Sequence, residues 1–265
     1  MIKISPVKIQ TLQNKILNWY TTNKRDLPWR TTQEPYHILV SEIMLQQTQV
    51  DRVIPYYHKW LETFPTLESL AKAEKTLILK NWSGLGYNNR PLRLQQLAQQ
   101  LTQKSLPFPT TYVSLVELPG IGPYTANAIL AFAFNQSVPV IDTNIRRVLI
   151  HELHLPEAIS LENLQIIAQQ CIPKDKSKLW HNALMDYGAL YATSRKTGIE
   201  SLSKQSKFEG STRQVRSNIV KYLLENKTTT LERLKSLYSH KEFNTILEKM
   251  LKEGLVKQKE NTLTL

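Results

Sequence analysis

The sequence predicts an all-α protein of many short helices, closed at its C-terminal end by a small module of helices and ribbon. Three observations carry this reading. Apolar residues recur at three- and four-residue steps through most of the chain, the period of a helix with one buried face. Helix breakers stand between those stripes: Pro28, Pro35, Pro65, Gly84 with Gly86, and Pro107 with Pro109. No convincing run of alternating apolar and polar residues occurs before residue 250.

Taken in order, Ile9, Leu12, Ile16 and Trp19 form the first stripe. Leu39, Ile43 and Val50 trace a second face, interrupted by polar Gln46 and followed by Ile54, Tyr57 and Trp60. Leu94, Leu97 and Leu101 form a third. From Lys196 to Gly210 the composition shifts to Ser, Lys, Gly and Thr, as in a linker. Three further helices are expected, on Val215, Ile219, Tyr222 and Leu223, on Leu231, Leu234 and Leu237, and on Phe243, Ile246, Leu247 and Leu251. The closing "GLVKQKENTLTL" reads as two short strands around a Glu260-Asn261 turn. That order matches a winged helix-turn-helix; a plain helical cap is the other reading.

The 265 residues are enough for one large or two to three small domains with a real core. A formal charge of +12 points to a polyanion as partner, nucleic acid being the commonest. Met1 to Pro6 has no sustained apolar stretch of the secretory kind. The longest apolar run, Ala128 to Phe134, falls far short of the ~20 residues that span a bilayer, so no membrane partner is expected. One cysteine, Cys171, makes neither an intrachain disulfide nor a thiolate cage for zinc or iron–sulfur. It suits a reduced cytosolic interior, as does any chain that simply lacks cysteine.

The most informative stretch is "ELPGIGPYTANAILAFAF", Glu117 to Phe134. Leu118-Pro119-Gly120-Ile121-Gly122 cannot continue a helix. Gly120 and Gly122 permit positive φ and close backbone approach. Pro123 suits the first position of a new helix, where its missing N–H costs nothing. The start of that helix offers free N–H groups and a favourable dipole to a phosphate, without reading base identity. Upstream, Ser41 and Glu42 sit in a helix whose neighbours face the core. Such an acid is either a surface residue just off the stripe or a placed group.

Leu-Pro-Gly-Ile-Gly followed by Tyr124-Thr125-Ala126, with Asp142 about twenty residues on in "PVIDTNIRRVL", resembles the helix–hairpin–helix of the DNA glycosylase superfamily that includes endonuclease III. Leu27-Pro28-Trp29-Arg30, Pro35-Tyr36, Ser41-Glu42, Met44 to Val50, "WSGLGYNNR" (82–90) and "MDYGALYAT" (185–193) resemble, in order, the MutY-type adenine DNA glycosylases. A sister branch that excises thymine or uracil opposite guanine shares the tyrosine and the glutamate, but does not typically share the Gln46 to Gln49 run or the Gly84 to Tyr87 stretch.

The resemblance implies two helical lobes with an active-site cleft between them. One lobe would take residues 1–30 and 136–200. The other would take 31–135, with the hairpin at about 112–134. A linker (201–212) and a winged-helix-like domain (213–265) would follow. It implies a monofunctional enzyme acting on duplex DNA that carries a mismatch or lesion, as a monomer in the bacterial cytosol. Adenine opposite 8-oxoguanine or guanine is the expected target. Another lesion, or DNA binding without chemistry, remains an alternative. Lysine at the place of Tyr124 forms a Schiff base in relatives that also cut the strand; tyrosine cannot.

By the same resemblance Glu42 protonates adenine, Asp142 stabilises the sugar cation, and Tyr124 and Asn144 orient the reacting centre. Asp142 could also N-cap the following helix, a role compatible with catalysis that would help keep it ionised. Gln47 and Tyr87 lie at the probed duplex, Tyr87 as a wedge, though a buried brace is its other reading. Gly120, Gly122, Arg90 and Arg146 complete the DNA-binding set, with Arg146 and Arg147 equally open to being a solvated pair. Arg25, Leu27, Trp29 and Arg30 resemble positions lining the base pocket, with Trp29 equally suited to plain core.

The four cysteines that hold a [4Fe–4S] cluster in most relatives fall here on Ala192, Ile199, Leu202 and Phe208. A clusterless protein with no metal or cofactor is therefore expected, with packing in place of metal, and DNA affinity shifted to Arg195, Lys196 and Lys204. The appended domain that reads 8-oxoguanine in many relatives has no recognisable counterpart. "FEGSTRQVRSNIV" (208–220) resembles the linker and helix that follow the cluster in some of them.

Overall fold

A computed structural model describes residues 3–104, 106–202 and 206–265. The chain runs through α1 (Pro6–Asn23), a 3-10 turn (Pro28–Arg30), α2 (Pro35–Leu45), α3 (Val50–Thr63), α4 (Leu67–Ala71), α5 (Lys75–Trp82) and α6 (Asn89–Gln103). The hairpin helices are α7 (Tyr112–Val116) and α8 (Pro123–Phe132). Then come α9 (Thr143–Leu153), α10 (Leu161–Gln170), α11 (Ser177–Asp186), a π-turn (Tyr187–Tyr191) and α12 (Ser194–Thr197). The C-terminal order is α13 (Thr212–Asn226), β1 (Thr228–Thr230), α14 (Leu231–Leu237), α15 (Phe243–Lys252), β2 (Lys257–Lys259) and β3 (Thr262–Thr264). Lys204 lies outside the described residues.

Two compact units result, Met1–Glu42 with Pro109–Lys204 and Ile43–Phe108 with Gln205–Leu265. In the first, Leu12, Ile16 and Tyr20 of α1 bury against Ile145, Val148 and Leu149 of α9, with Leu164, Ile167, Trp180 and Cys171 in the same core. Each such side chain taken fully from water contributes about 1.5–3 kcal/mol. Ser5 starts α1 by accepting the Lys8 N–H on its hydroxyl.

The hairpin belongs to this first unit, whereas the sequence reading grouped it with residues 31–135. The reason is the composition of α8. Thr125, Ala126 and every residue from Ala128 to Phe132 are buried, so the helix needs packing around most of its circumference. Phe132 meets His181 of α11 edge-on, at 6.3 Å between ring centres. Asn127 Nδ2 donates to the Pro139 carbonyl at 3.0 Å.

The expected face from Leu39 to Trp60 is cut into α2 and α3. Gln47 turns left-handed, at φ 57°, and ends the first helix. Leu94, Leu97 and Leu101 are buried as their spacing predicts. The C-terminal segment has the winged arrangement rather than a plain helical cap. Its antiparallel sheet has the order β1-β3-β2, with Thr229 opposite Leu263 and Gln258 also opposite Leu263. Strand β1 escaped the sequence reading because three threonines carry no alternation. This module shares its core with Leu79 of α5, and Lys75 Nζ donates to the Gly254 carbonyl.

One ionic cluster pins the N-terminal loop of the first unit. Asp186, fully buried at the end of α11, accepts from Arg25 N (2.9 Å), Arg25 Nε (2.6 Å) and both Nη atoms of Arg30 (2.6 Å each). Burial pushes its carboxyl upward, but the Arg30 and Arg25 hydrogen bonds outweigh that and hold it below the ordinary aspartate value. The contribution is present above the unfolded pKa and lost as pH falls through the folded one. Asp186→Asn should destabilise the protein by about 3–5 kcal/mol, read by urea denaturation at pH 7, because it leaves two guanidinium groups without their counter-charge. A loss below about 1 kcal/mol would show that the cluster is not holding the loop.

Candidate active site

Glu42 lies on α2 beside Ser41, in the run Ile38 to Met44, and is only 7 % exposed. It is a buried acid, not a surface residue off the stripe. The Tyr124 hydroxyl, on the first turn of α8, hydrogen-bonds its carboxyl, and Asp142 interacts with it through charge. Burial drives the Glu42 pKa up to about 7; the Tyr124 bond pulls against this and the Asp142 charge adds to it. Burial, with the neighbouring carboxyls, also keeps the Tyr124 phenol neutral.

Asp142 caps α9, accepting the Ile145 N–H on Oδ1 at 2.7 Å. Its Oδ2 accepts from Asn144 Nδ2 at 3.1 Å. The Asn144 amide is oriented in turn, because Arg147 Nη2 donates to Asn144 Oδ1 at 2.6 Å. Burial pushes the Asp142 carboxyl up from its ordinary value; the Ile145 and Asn144 donors and the Arg147 charge oppose it. The cap therefore favours the anion, as expected, yet burial outweighs it. Asp142 has donors and a cation on its anionic form, whereas Glu42 has only the phenol. The pair is thus arranged so that Glu42 holds a proton more readily than Asp142.

The backbone that carries Asp142 is held from α11. Val140 N donates to His181 Nε2 at 3.2 Å, while His181 Nδ1 lies 2.8 Å from the Ser177 carbonyl. A carbonyl only accepts and an amide N–H only donates, so the proton sits on Nδ1 and the ring is neutral. Burial pushes the His181 pKa down to about 4, consistent with that state. The π-turn after α11 also serves α9. A Cβ on Gly188 would fall 2.8 Å from Asn144 Cβ and 2.9 Å from its carbonyl oxygen, so only glycine lets the start of α9 approach.

At the hairpin, Gly120 adopts φ 83° and Gly122 does not. Gly122 caps α8 in extended backbone (φ −100°, ψ 177°), and a Cβ there would meet nothing within 4 Å. Neither conformation nor packing within the chain demands glycine at 122. No side chain caps α8, so its first N–H groups face outward.

In the second unit, Gln47 and Tyr87 both take positive φ, 57° and 51°, and the Tyr87 hydroxyl donates to Gln47 Oε1.

Several residues expected at the DNA or base are engaged within the chain. Arg146 is buried and donates to the carbonyls of Glu157 (2.8 Å) and Glu200 (3.4 Å). Arg147 is buried too, with Nε on the Ala192 carbonyl at 2.9 Å, so the two are no solvated pair. Arg90 donates to the carbonyls of Ile43, Gln46, Leu85 and Gly86, which makes it a clamp on two loops within its unit. Arg25 and Arg30 are engaged by Asp186, and Leu27 and Trp29 are buried. Asp186 and His181 were not singled out beforehand. The available signal was a lone acid within the apolar run around "MDYGAL".

At the positions where relatives place cluster ligands, no side chain carries a donor for iron. Ala192 and Ile199 are buried, but Leu202 is 83 % exposed and Phe208 50 % exposed, so the expected apolar packing is present at two positions and not at all four. The donor set does not fit a cluster. Among the described residues no group of three His, Cys, Asp or Glu could hold a metal ion, and no helix is long and apolar enough to cross a membrane.

Residues 40–174 match the model of the HhH-GPD superfamily of base excision DNA repair proteins. The chain is 34 % identical over 283 residues to an adenine DNA glycosylase of Mycolicibacterium smegmatis, covering 97 % of this chain and 94 % of that one. It is 41 % identical over 179 residues to an adenine DNA glycosylase of Buchnera aphidicola, covering 66 % of this chain and 51 % of that one. To the human adenine DNA glycosylase it is 37 % identical over 200 residues, covering 70 % and 37 %. The chain thus spans nearly the whole of the first relative and about half or less of the other two. Among solved structures, a thermostable thymine-DNA glycosylase superposes with a TM-score of 0.66 at 29 % identity, over 72 % of this chain and 90 % of that one. Endonuclease III in a non-covalent DNA complex shares the fold, with a TM-score of 0.63 at 18 % identity over 77 % and 91 %. Family model, relatives and fold agree: the chain belongs to the HhH-GPD superfamily of base excision DNA repair proteins, among its DNA N-glycosylases.

Proposed function

We propose that this DNA glycosylase acts as a monomer on duplex DNA and removes adenine mispaired with 8-oxoguanine or guanine, leaving the strand uncut. The observation that carries the reading is the Glu42–Tyr124–Asp142 constellation, in which the buried Glu42 has its pKa driven up to about 7. The extruded base leaves the stack at a cost of a few kcal/mol, least at a mispair. Glu42 gives its proton to N7 of adenine, and the N-glycosidic bond breaks with its electron pair leaving on the base. Asp142, as the anion, stabilises the cation left at C1′. Water adds its hydroxyl there and its proton returns to the Glu42 carboxylate. This is the division of labour of two-carboxylate glycosidases. Tyr124 has no amine to attack the sugar, which supports base removal without strand scission.

The duplex backbone is assigned to the hairpin. Gly122 has no internal reason to lack a Cβ, and the uncapped start of α8 suits a phosphate at close range. Tyr87 and Gln47 are assigned to the probed base pair. A second reading, excision of thymine or uracil opposite guanine, is favoured by the likeness to the thymine-DNA glycosylase. The names of the longer sequence relatives and the Gln46 to Gln49 run support adenine.

A panel of duplexes, each with one mispair or lesion, decides between them. Alkali-developed cleavage is expected at adenine opposite 8-oxoguanine or guanine and not at thymine or uracil opposite guanine; the reverse pattern would sink the adenine assignment. Asp142→Asn should lose about 10²–10³-fold in single-turnover rate while retaining much of its lesion binding.

Glu42→Gln should lose about 10²–10⁴-fold. The wild-type rate should fall as pH rises through about 7, as the Glu42 proton is lost. Wild-type stability should fall over the same rise in pH. A carboxyl raised in the folded state weakens the fold increasingly between its unfolded value and about 7, so Glu42→Gln should be more stable than wild type above that pH, by at most about 3 kcal/mol, and lose the advantage towards pH 4. A flat rate profile from pH 6 to 8 would remove Glu42 from the acid's role. We also propose that the enzyme carries no cluster, on its donor set; stoichiometric iron in protein purified without air would refute this.

A further inference from the structure

The paired Gln47 and Tyr87 are costly. A left-handed backbone at a residue other than glycine costs on the order of 1–3 kcal/mol and persists only where its surroundings enforce it. Part of that enforcement is Arg90, whose guanidinium lies 5.4 Å from the Tyr87 ring centre while its Nη2 holds the Leu85 and Gly86 carbonyls immediately before it. A second guanidinium comes from the C-terminal module. Arg213, on the first turn of α13, donates from Nη1 to the Tyr87 phenol oxygen at 3.1 Å, with its central carbon 5.5 Å from the same ring centre. Its Nη2 is tied to the Ser206 and Lys207 carbonyls and to the Ser206 hydroxyl, which fixes the plane of the fork. The phenol thus accepts from Arg213 and donates to Gln47, a directed chain of three side chains.

We infer that Arg213 is a positioning residue for the Tyr87–Gln47 probe, and that the C-terminal module thereby sets how strictly the enzyme discriminates the base opposite its target. The inference rests on the assignment of Tyr87 to the probed base pair. Three features favour a role in recognition over a simple tether. The arginine spends one donor on a hydroxyl that backbone carbonyls could have replaced. It sits against an aromatic face, where a guanidinium stacks and an ammonium does not. And the chain it completes ends on the two residues whose backbone is strained.

The test compares wild type, Arg213→Met, Arg213→Lys, Tyr87→Phe, Tyr87→Ala and the Arg213→Met/Tyr87→Phe double variant. Each is measured on duplexes with adenine opposite guanine and adenine opposite thymine. Single-turnover rates are taken over a range of enzyme concentration, so that apparent affinity and limiting rate separate. Arg213→Met is expected to reduce the guanine-over-thymine preference about tenfold, with the loss in apparent affinity rather than limiting rate. Arg213→Lys should not restore it, since an ammonium cannot hold the phenol and two carbonyls in one plane. In the Tyr87→Phe background Arg213→Met should add little, because the accepting oxygen is already gone. Should Arg213→Met keep full discrimination while Tyr87→Ala loses it, or should the two losses multiply, the positioning role is overturned and Tyr87 keeps its assignment. If Tyr87→Ala itself discriminates like wild type, the assignment of Tyr87 fails, and this inference with it. Arg213→Lys retains the stem and the charge, so a failure of Arg213→Met to fold still leaves a variant that reads the effect: full discrimination by Arg213→Lys would also overturn the role.

Discussion

Two interacting carboxyl groups at one phenol, Glu42 buried and Asp142 half-buried, are the constraint to which the rest of the first unit answers. Burial opposes both charges, and each charge opposes the other. A fold can hold such a pair only if one member stays protonated or one anion is compensated, and this chain does both. Glu42 keeps its proton because almost nothing polar reaches it apart from Tyr124. Asp142 is supplied with a helix N-terminus, an amide and a nearby guanidinium. The difference between the two environments is what converts two similar side chains into an acid and an anion.

That difference is maintained at some distance from the carboxyls. The neutral His181 ring grips the loop segment leading into Asp142, and the absence of a side chain at Gly188 lets α9 begin where it must. Asp186 ties α11, which carries the histidine, to the loop holding Arg25 and Arg30. These contacts are buried and satisfied, so they specify position rather than merely adding stability. Several arginines that a basic composition offers to nucleic acid are spent on this internal work instead.

Much of the fold was legible because helices announce themselves by period and breakers by type. The stripes at Leu12 and Ile16 and at Leu94, Leu97 and Leu101 are buried as their spacing requires. The Glu260-Asn261 turn between two strands was likewise readable. Strand β1 was not, since Thr228 to Thr230 pair by register with Thr262 to Thr264 and not by any local pattern. At the site, the sequence located Glu42, Tyr124, Asp142 and Asn144 because a motif fixes their spacing. It did not show that Arg25, Arg30, Arg90 and Arg146 bond within the chain, because residue type says nothing of direction. Whether a guanidinium points to solvent or to a buried carbonyl is decided by tertiary neighbours, Asp186 for two of these four and loop carbonyls for the others. The same limit explains Leu202 and Phe208, apolar by type yet exposed in place.

The chain's single thiol has a practical meaning. Cys171 is enclosed in the core of the first unit, and burial pushes its pKa up to about 11. Native protein therefore presents almost no thiolate to an alkylating reagent, while the opened chain presents one per molecule. A dye or spin label can be placed on an engineered surface cysteine without first removing the native one. Slow modification of the unaltered chain, followed over hours, becomes a clock for opening of this unit alone.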